Sequence, residues 1–133
     1  MERRGKVFMF LFLVYLGMIA WCCFGHFDSL PKVSKELFGI PTDKVAHFIM
    51  FSPFVILGYP SFASFARKRR GKILVFASVF LGGLLVACAT EAGQALTDYR
   101  SGDPADLAAD AAGLVAGAVV TFAAILILKH RTN

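Results

Sequence analysis

Apolar residues fall into four long blocks, residues 7–25, 44–66, 73–97 and 104–128, separated by short polar stretches. At about 1.5 Å rise per residue, each block can cross a ~30 Å hydrocarbon core as a helix. The pattern predicts an all-α polytopic membrane protein, a four-transmembrane-helix bundle forming one domain over residues 1–133.

Local signals mark the ends of these helices. Arg3, Arg4 and Lys6 open the first block, as they would open a signal peptide. The block is long enough to span, no small-x-small site closes it, and Trp21 stands before Cys22 where a lipoprotein signal needs a small residue. An uncleaved helix is therefore expected. Residues 26–42 form a polar loop with Pro31 and Pro41, and a short interfacial helix is expected around 32–38. Thr42 is a suitable N-cap for the second helix, and Asp43 suits the positive end of its dipole. Pro53 and Pro60 lie inside that block, and a kink near Pro53 follows from its missing N–H. A basic turn, residues 67–72, leads into the third block, and residues 98–102 form the next turn. Asp103 can cap the fourth helix, Pro104 fits its first position and Asp106 its first turn. Lys129, His130 and Arg131 complement its C-terminal dipole.

Composition strengthens the membrane reading. Hydrophobic residues make up 57% of the 133, with mean hydropathy +0.66, where a soluble domain is about 45–50% apolar. The net charge of +5 does not point to nucleic acid, because the basic residues flank apolar runs instead of interleaving with aromatics. Cys22, Cys23 and Cys88 lie within apolar segments and make no disulfide framework.

Charge also orients the helices. Four crossings place both termini on one side together with the 67–72 turn. That side carries Arg3, Arg4, Lys6, Arg67, Lys68, Arg69, Arg70, Lys72, Lys129 and Arg131, against Glu2 as its single acid. The positive-inside rule then puts both termini in the cytoplasm, and the 26–43 loop and the 98–102 turn outside.

The remaining polar residues collect at the outer end. Asp43, Lys44 and His47 begin the second helix, Glu91 and Gln94 end the third, Arg100 is in the turn, and Asp106 and Asp110 begin the fourth. Each lies within roughly 10 Å of the outer boundary. Gly83, Ala87 and Glu91 repeat every four residues with Gln94 on the same side, and Asp106, Asp110, Gly113 and Gly117 share a face. Gly113 and Gly117 form a small-x3-small pattern that suits packing within a monomer or between copies alike. The acids are therefore expected to point into the bundle.

An ionisable group within a membrane helix is a functional-site hypothesis. Glu91, His47 and Asp106 are the candidate catalytic residues, with Asp43, Lys44, Gln94, Arg100 and Asp110 as candidate ligand-binding residues. The competing view is a structural cluster, with Arg100 paired to Asp106, Lys44 to Asp98, and Asp103 merely capping. His47 suits a structural hydrogen bond, acid–base chemistry or, least, a metal. No His-x3-His or Cys-x2-Cys is present, so neither a metal nor a cofactor is expected. No phosphate-binding glycine loop, Gly-x-Ser-x-Gly elbow or nucleotide fingerprint occurs.

These residues resemble a known pattern. Asp43-Lys44-x-x-His47-Phe48 resembles the opening motif of the VanZ-like family, and Glu91-x-x-Gln94 its second. Arg100, Asp106, Gly113 and Gly117 resemble the third, and together the three cover about residues 41–117. Asp110 departs from the family's usual Asn, keeping the acceptor and losing the amide donor.

The resemblance implies a bacterial membrane protein, whose family namesake is associated with low-level resistance to teicoplanin, a lipid-bearing glycopeptide. Contact with membrane lipids and a lipid-linked or lipoglycopeptide ligand are the expectations it supports, with enzyme status open. In such a site Glu91 would accept a proton with His47 as partner and Asp106 orienting it, while Arg100 and Lys44 hold an anionic group. The alternative is a non-catalytic accessory or structural membrane protein that binds a protein partner.

Overall fold

Long apolar runs in lipid satisfy their backbone only as helices, and each of the four blocks does so in the computed structural model. Residues 3–25, 36–98 and 102–131 are described. Helix α1 is Arg3–Phe24, α2 Thr42–Phe51, α3 Pro53–Ala63, α4 Arg69–Ala95 and α5 Pro104–Arg131. Helices α2 and α3 form one span, Thr42–Ala63, so four segments are long and apolar enough to cross a membrane.

The break at Ser52 has a local cause. Pro53 has no N–H to return to the carbonyl one turn back, and it sits at the first position of α3, where none is needed. Ser52 still donates its N–H and its Oγ to Phe48 O, at 3.1 and 2.7 Å. Close by, Tyr15 Oη donates to Met50 O at 2.5 Å, tying α1 to the break.

The termini of the helices correct the sequence reading in several places. Pro41, not Thr42, is the N-cap of α2, and it makes no side-chain cap bond. The basic 67–72 turn is partly helical, because α4 already begins at Arg69. Arg and Lys are good helix formers, so polarity alone does not end a helix. Of the interfacial helix expected at 32–38, residues 32–35 lie outside the described residues. Glu36–Leu37 instead pairs antiparallel with Ile40–Pro41 as β1 and β2. Phe38 and Gly39, at φ 55° and 77°, make the turn; two positive φ values in a two-residue loop suit hairpin strand twist.

Helix α1 packs on α3, α2 on α5, and α3 on both α4 and α5. Phe12, Tyr15, Ile19 and Cys23 recur at helical spacing on the buried face of α1. Phe12 meets Phe54 edge-on at 5.2 Å between centroids, and Phe51 stacks on Phe54. Phe10, Leu13, Trp21, Leu74, Leu85, Val119 and Leu128 point outward. Such a surface is a liability in water but matches hydrocarbon.

Candidate functional site

Glycines set the geometry of the site. Helices α2 and α5 run parallel, and a Cβ on Gly113 would strike Phe48 O while one on Gly117 would strike Ser52 O. Two contacts one turn apart on both helices hold a single register, with backbones touching. One turn nearer the helix starts, the same register brings His47 to Asp110 and Lys44 to Asp106. The Gly113-x3-Gly117 face thus packs within the chain.

Lys44 Nζ is the hub of the layer nearest the start of α2. It donates to Asp43 at 3.1 Å, to Asp103 at 2.5 Å and to Asp106. Beneath it, buried His47 lies between two carboxylates, with Nδ1 2.8 Å from Asp110 Oδ1 and Nε2 3.7 Å from Asp106 Oδ2. Asp103 also caps α5, accepting the Ala105 N–H at 2.9 Å. The Lys44 ammonium, and then the Ala105 N–H, hold the Asp103 carboxyl below its ordinary value of 3.8.

Glu91 joins from α4. Gly83, Ala87, Glu91 and Gln94 are all buried, so the stripe seen in sequence does face the bundle. Glu91 Oε1 accepts the backbone N–H of Asp103. Gly102 makes that approach feasible, because a Cβ there would press on Ala95 and lie close to Glu91. Gln94 Nε2 donates to Cys23 O at 3.1 Å, tying α4 to α1. Glu91 Oε2 and Asp110 Oδ2 are buried and accept no hydrogen bond from the described residues. A small cavity of ≈120 Å³ adjoins His47, lined by Cys22, Cys23, Asp43, Ala46, His47 and Met50.

The structure therefore gathers Lys44, His47, Glu91, Asp106 and Asp110 into one cluster, with Asp43 exposed at its rim. Gln94 belongs to the same layer but turns toward α1. Arg100 lies outside the described residues, and with it the expected Arg100–Asp106 pair. The alternative pairing of Lys44 with Asp98 is not formed; Asp98 is exposed, and Asp103 takes the lysine instead. Asp103 is the residue that sequence reasoning missed, having been assigned only a cap. It does cap, but its second oxygen and its N–H reach residues 59 and 12 positions away, separations that no local pattern signals.

What the cluster can do chemically follows from its composition. A histidine held by carboxylates can exchange protons, and a surplus of buried acid can take up a cation. No curated protein and no solved structure matches the chain. A family model described as VanZ/LLP1 matches residues 3–128. The chain belongs to the VanZ/LLP1 family of membrane proteins.

Proposed function

We propose that this VanZ/LLP1 chain works in the bacterial inner membrane, with both termini cytoplasmic, and uses the outward end of its bundle to handle a lipid-linked or lipid-like ligand. The observation that carries the reading is His47, clamped between Asp106 and Asp110 beside a small cavity at one end of the bundle. A buried, oriented imidazole with carboxylate partners is suited to moving a proton at a headgroup. Glu91 completes the acidic wall, and Lys44 holds Asp103 and Asp106 in place. Charge segregation supports the orientation, since the basic segments all lie at the opposite end.

One observation favours a second reading. Lys44 and Gln94 spend hydrogen bonds on Asp103, Asp106 and Cys23 O within the chain, as they would in a non-catalytic accessory protein that presents its outer end to a protein partner.

The test is glycopeptide susceptibility in a host lacking the gene, expressing wild type or Glu91→Gln at equal membrane levels. Protection by wild type alone, selective for teicoplanin over a glycopeptide without a lipid tail, is the expected result. Equal protection by both forms would remove Glu91 from the site. Absence of protection by either would remove resistance as the function and leave native envelope lipids as the ligands to assay.

A further inference from the structure

Among the described residues, two buried carboxylate oxygens lack a hydrogen-bond partner, Glu91 Oε2 and Asp110 Oδ2. Asp110 is 0% exposed and Glu91 9%. An ionised carboxylate in a membrane helix is costly unless something positive compensates it. Lys44 does not, because its ammonium is directed at Asp43, Asp103 and Asp106. Among the described residues, His47 meets Asp110 Oδ1 at 2.8 Å and lies within 4.8 Å of Glu91.

We propose that His47, Glu91 and Asp110 form a binding site for one divalent transition-metal ion. One ring nitrogen of His47 and one oxygen from each acid all lie within 4.8 Å of one another. Ligand atoms about 2.1 Å from a shared ion stand roughly 3 Å apart or somewhat more, so only small side-chain movements would close the set. The 2.8 Å hydrogen bond between His47 Nδ1 and Asp110 Oδ1 would give up its proton and widen slightly as an ion enters.

The donors select the class of ion. One imidazole nitrogen with two carboxylates suits zinc, manganese, iron(II) or cobalt, whereas calcium and magnesium favour all-oxygen sites and copper(I) needs sulfur. Two carboxylates would balance the charge of a divalent ion, which would relieve the mutual repulsion of the buried acids. Asp106 stands 3.7 Å from His47 Nε2 and would act as a positioning residue for the ring. The local sequence hid this set, because its members come from three helices and are 63 and 19 residues apart along the chain. The site does not depend on which lipid-like ligand the protein handles, and its test contains none.

The experiment uses the full chain, purified in detergent, stripped with a chelator and confirmed helical by circular dichroism. It is then dialysed against Co²⁺ or Zn²⁺, and bound metal is measured by mass spectrometry. Uptake of about one equivalent per chain, with proton release, is expected. Glu91→Gln and Asp110→Asn should each weaken uptake by roughly tenfold or more, while His130→Ala, at the opposite end, should leave it unchanged. The cobalt spectrum of the wild type covers the case of variants that do not fold. Ligand-field bands without thiolate charge transfer are expected, whereas a thiolate band would assign the ion to Cys22 or Cys23 and overturn the proposal. Folded wild type that takes up no ion, or folded variants that bind as tightly as wild type, would overturn it too, and the two acids would then share a proton.

Discussion

The two ends of the bundle carry charge in opposite ways. At one end, Arg3, Arg4, Lys6, Arg67, Lys68, Arg69, Arg70, Lys72 and Lys129 are all exposed, contributed by helix ends and a turn. At the other, His47, Glu91, Asp106 and Asp110 are buried and interlocked across three spans. Charges at the first end need only reach water, so sequence position is enough to place them. Charges at the second must find each other, so helix register decides whether they are tolerated. The basic end should therefore tolerate replacement residue by residue, and the acidic end should not.

The strongest way to break this contrast is to attack the register. Gly117→Val would drive a side chain into Ser52 O and separate α5 from α2. A loss of about 3 kcal/mol is expected, read as a lower melting temperature of the purified protein in detergent. A clear but smaller effect is expected from a single charge. Lys44→Met strands Asp106, whose side chain is 12% exposed, and should cost somewhat less, about 2–3 kcal/mol for a pair that is not fully buried. Adding Asp106→Asn should restore much of that loss. A double-mutant cycle measures the coupling, and simple additivity would show that the pair does not bind the helices together.

A gentler probe is pH. Asp103 is held below its ordinary value by Lys44 and the Ala105 N–H. A carboxyl with a depressed folded-state value contributes stability in full above its unfolded value, and that stability is lost as pH falls through the folded one. Thermal stability should thus fall as pH drops below about 4, and Asp103→Asn should flatten part of the decline. The smallest effect belongs to the basic end. Arg69→Gln with Lys72→Gln should move stability by less than about 0.5 kcal/mol. A cysteine placed at Arg70 should resist a membrane-impermeant thiol reagent in intact cells, and one at Glu36 should react. The reverse pattern would invert the orientation argued from charge.

Much of the bundle is legible in the sequence. Four helices, the break at Pro53, the capping of α5 by Asp103 and the inward stripe ending in Glu91 all follow from local rules. The hairpin at 36–41 did not, because Phe38 at positive φ is an uncommon choice for such a turn. Nor did Asp103 as a partner of both Lys44 and Glu91, since a capping residue already has a sufficient local reason to be there.

Hydrophobic length and the placement of basic residues sufficed to specify a membrane-spanning helical chain with its acids toward one end, because both act through the solvent each segment meets. Folding chose the partners. Lys44 pairs with Asp103 and not Asp98, His47 with Asp110, and two carboxylate oxygens find no donor among the described residues. These outcomes depend on helices meeting at fixed register through Gly113 and Gly117. Distances of a few ångströms between residues about 60 positions apart are set by backbone contact across the bundle, which no stretch of the chain encodes alone.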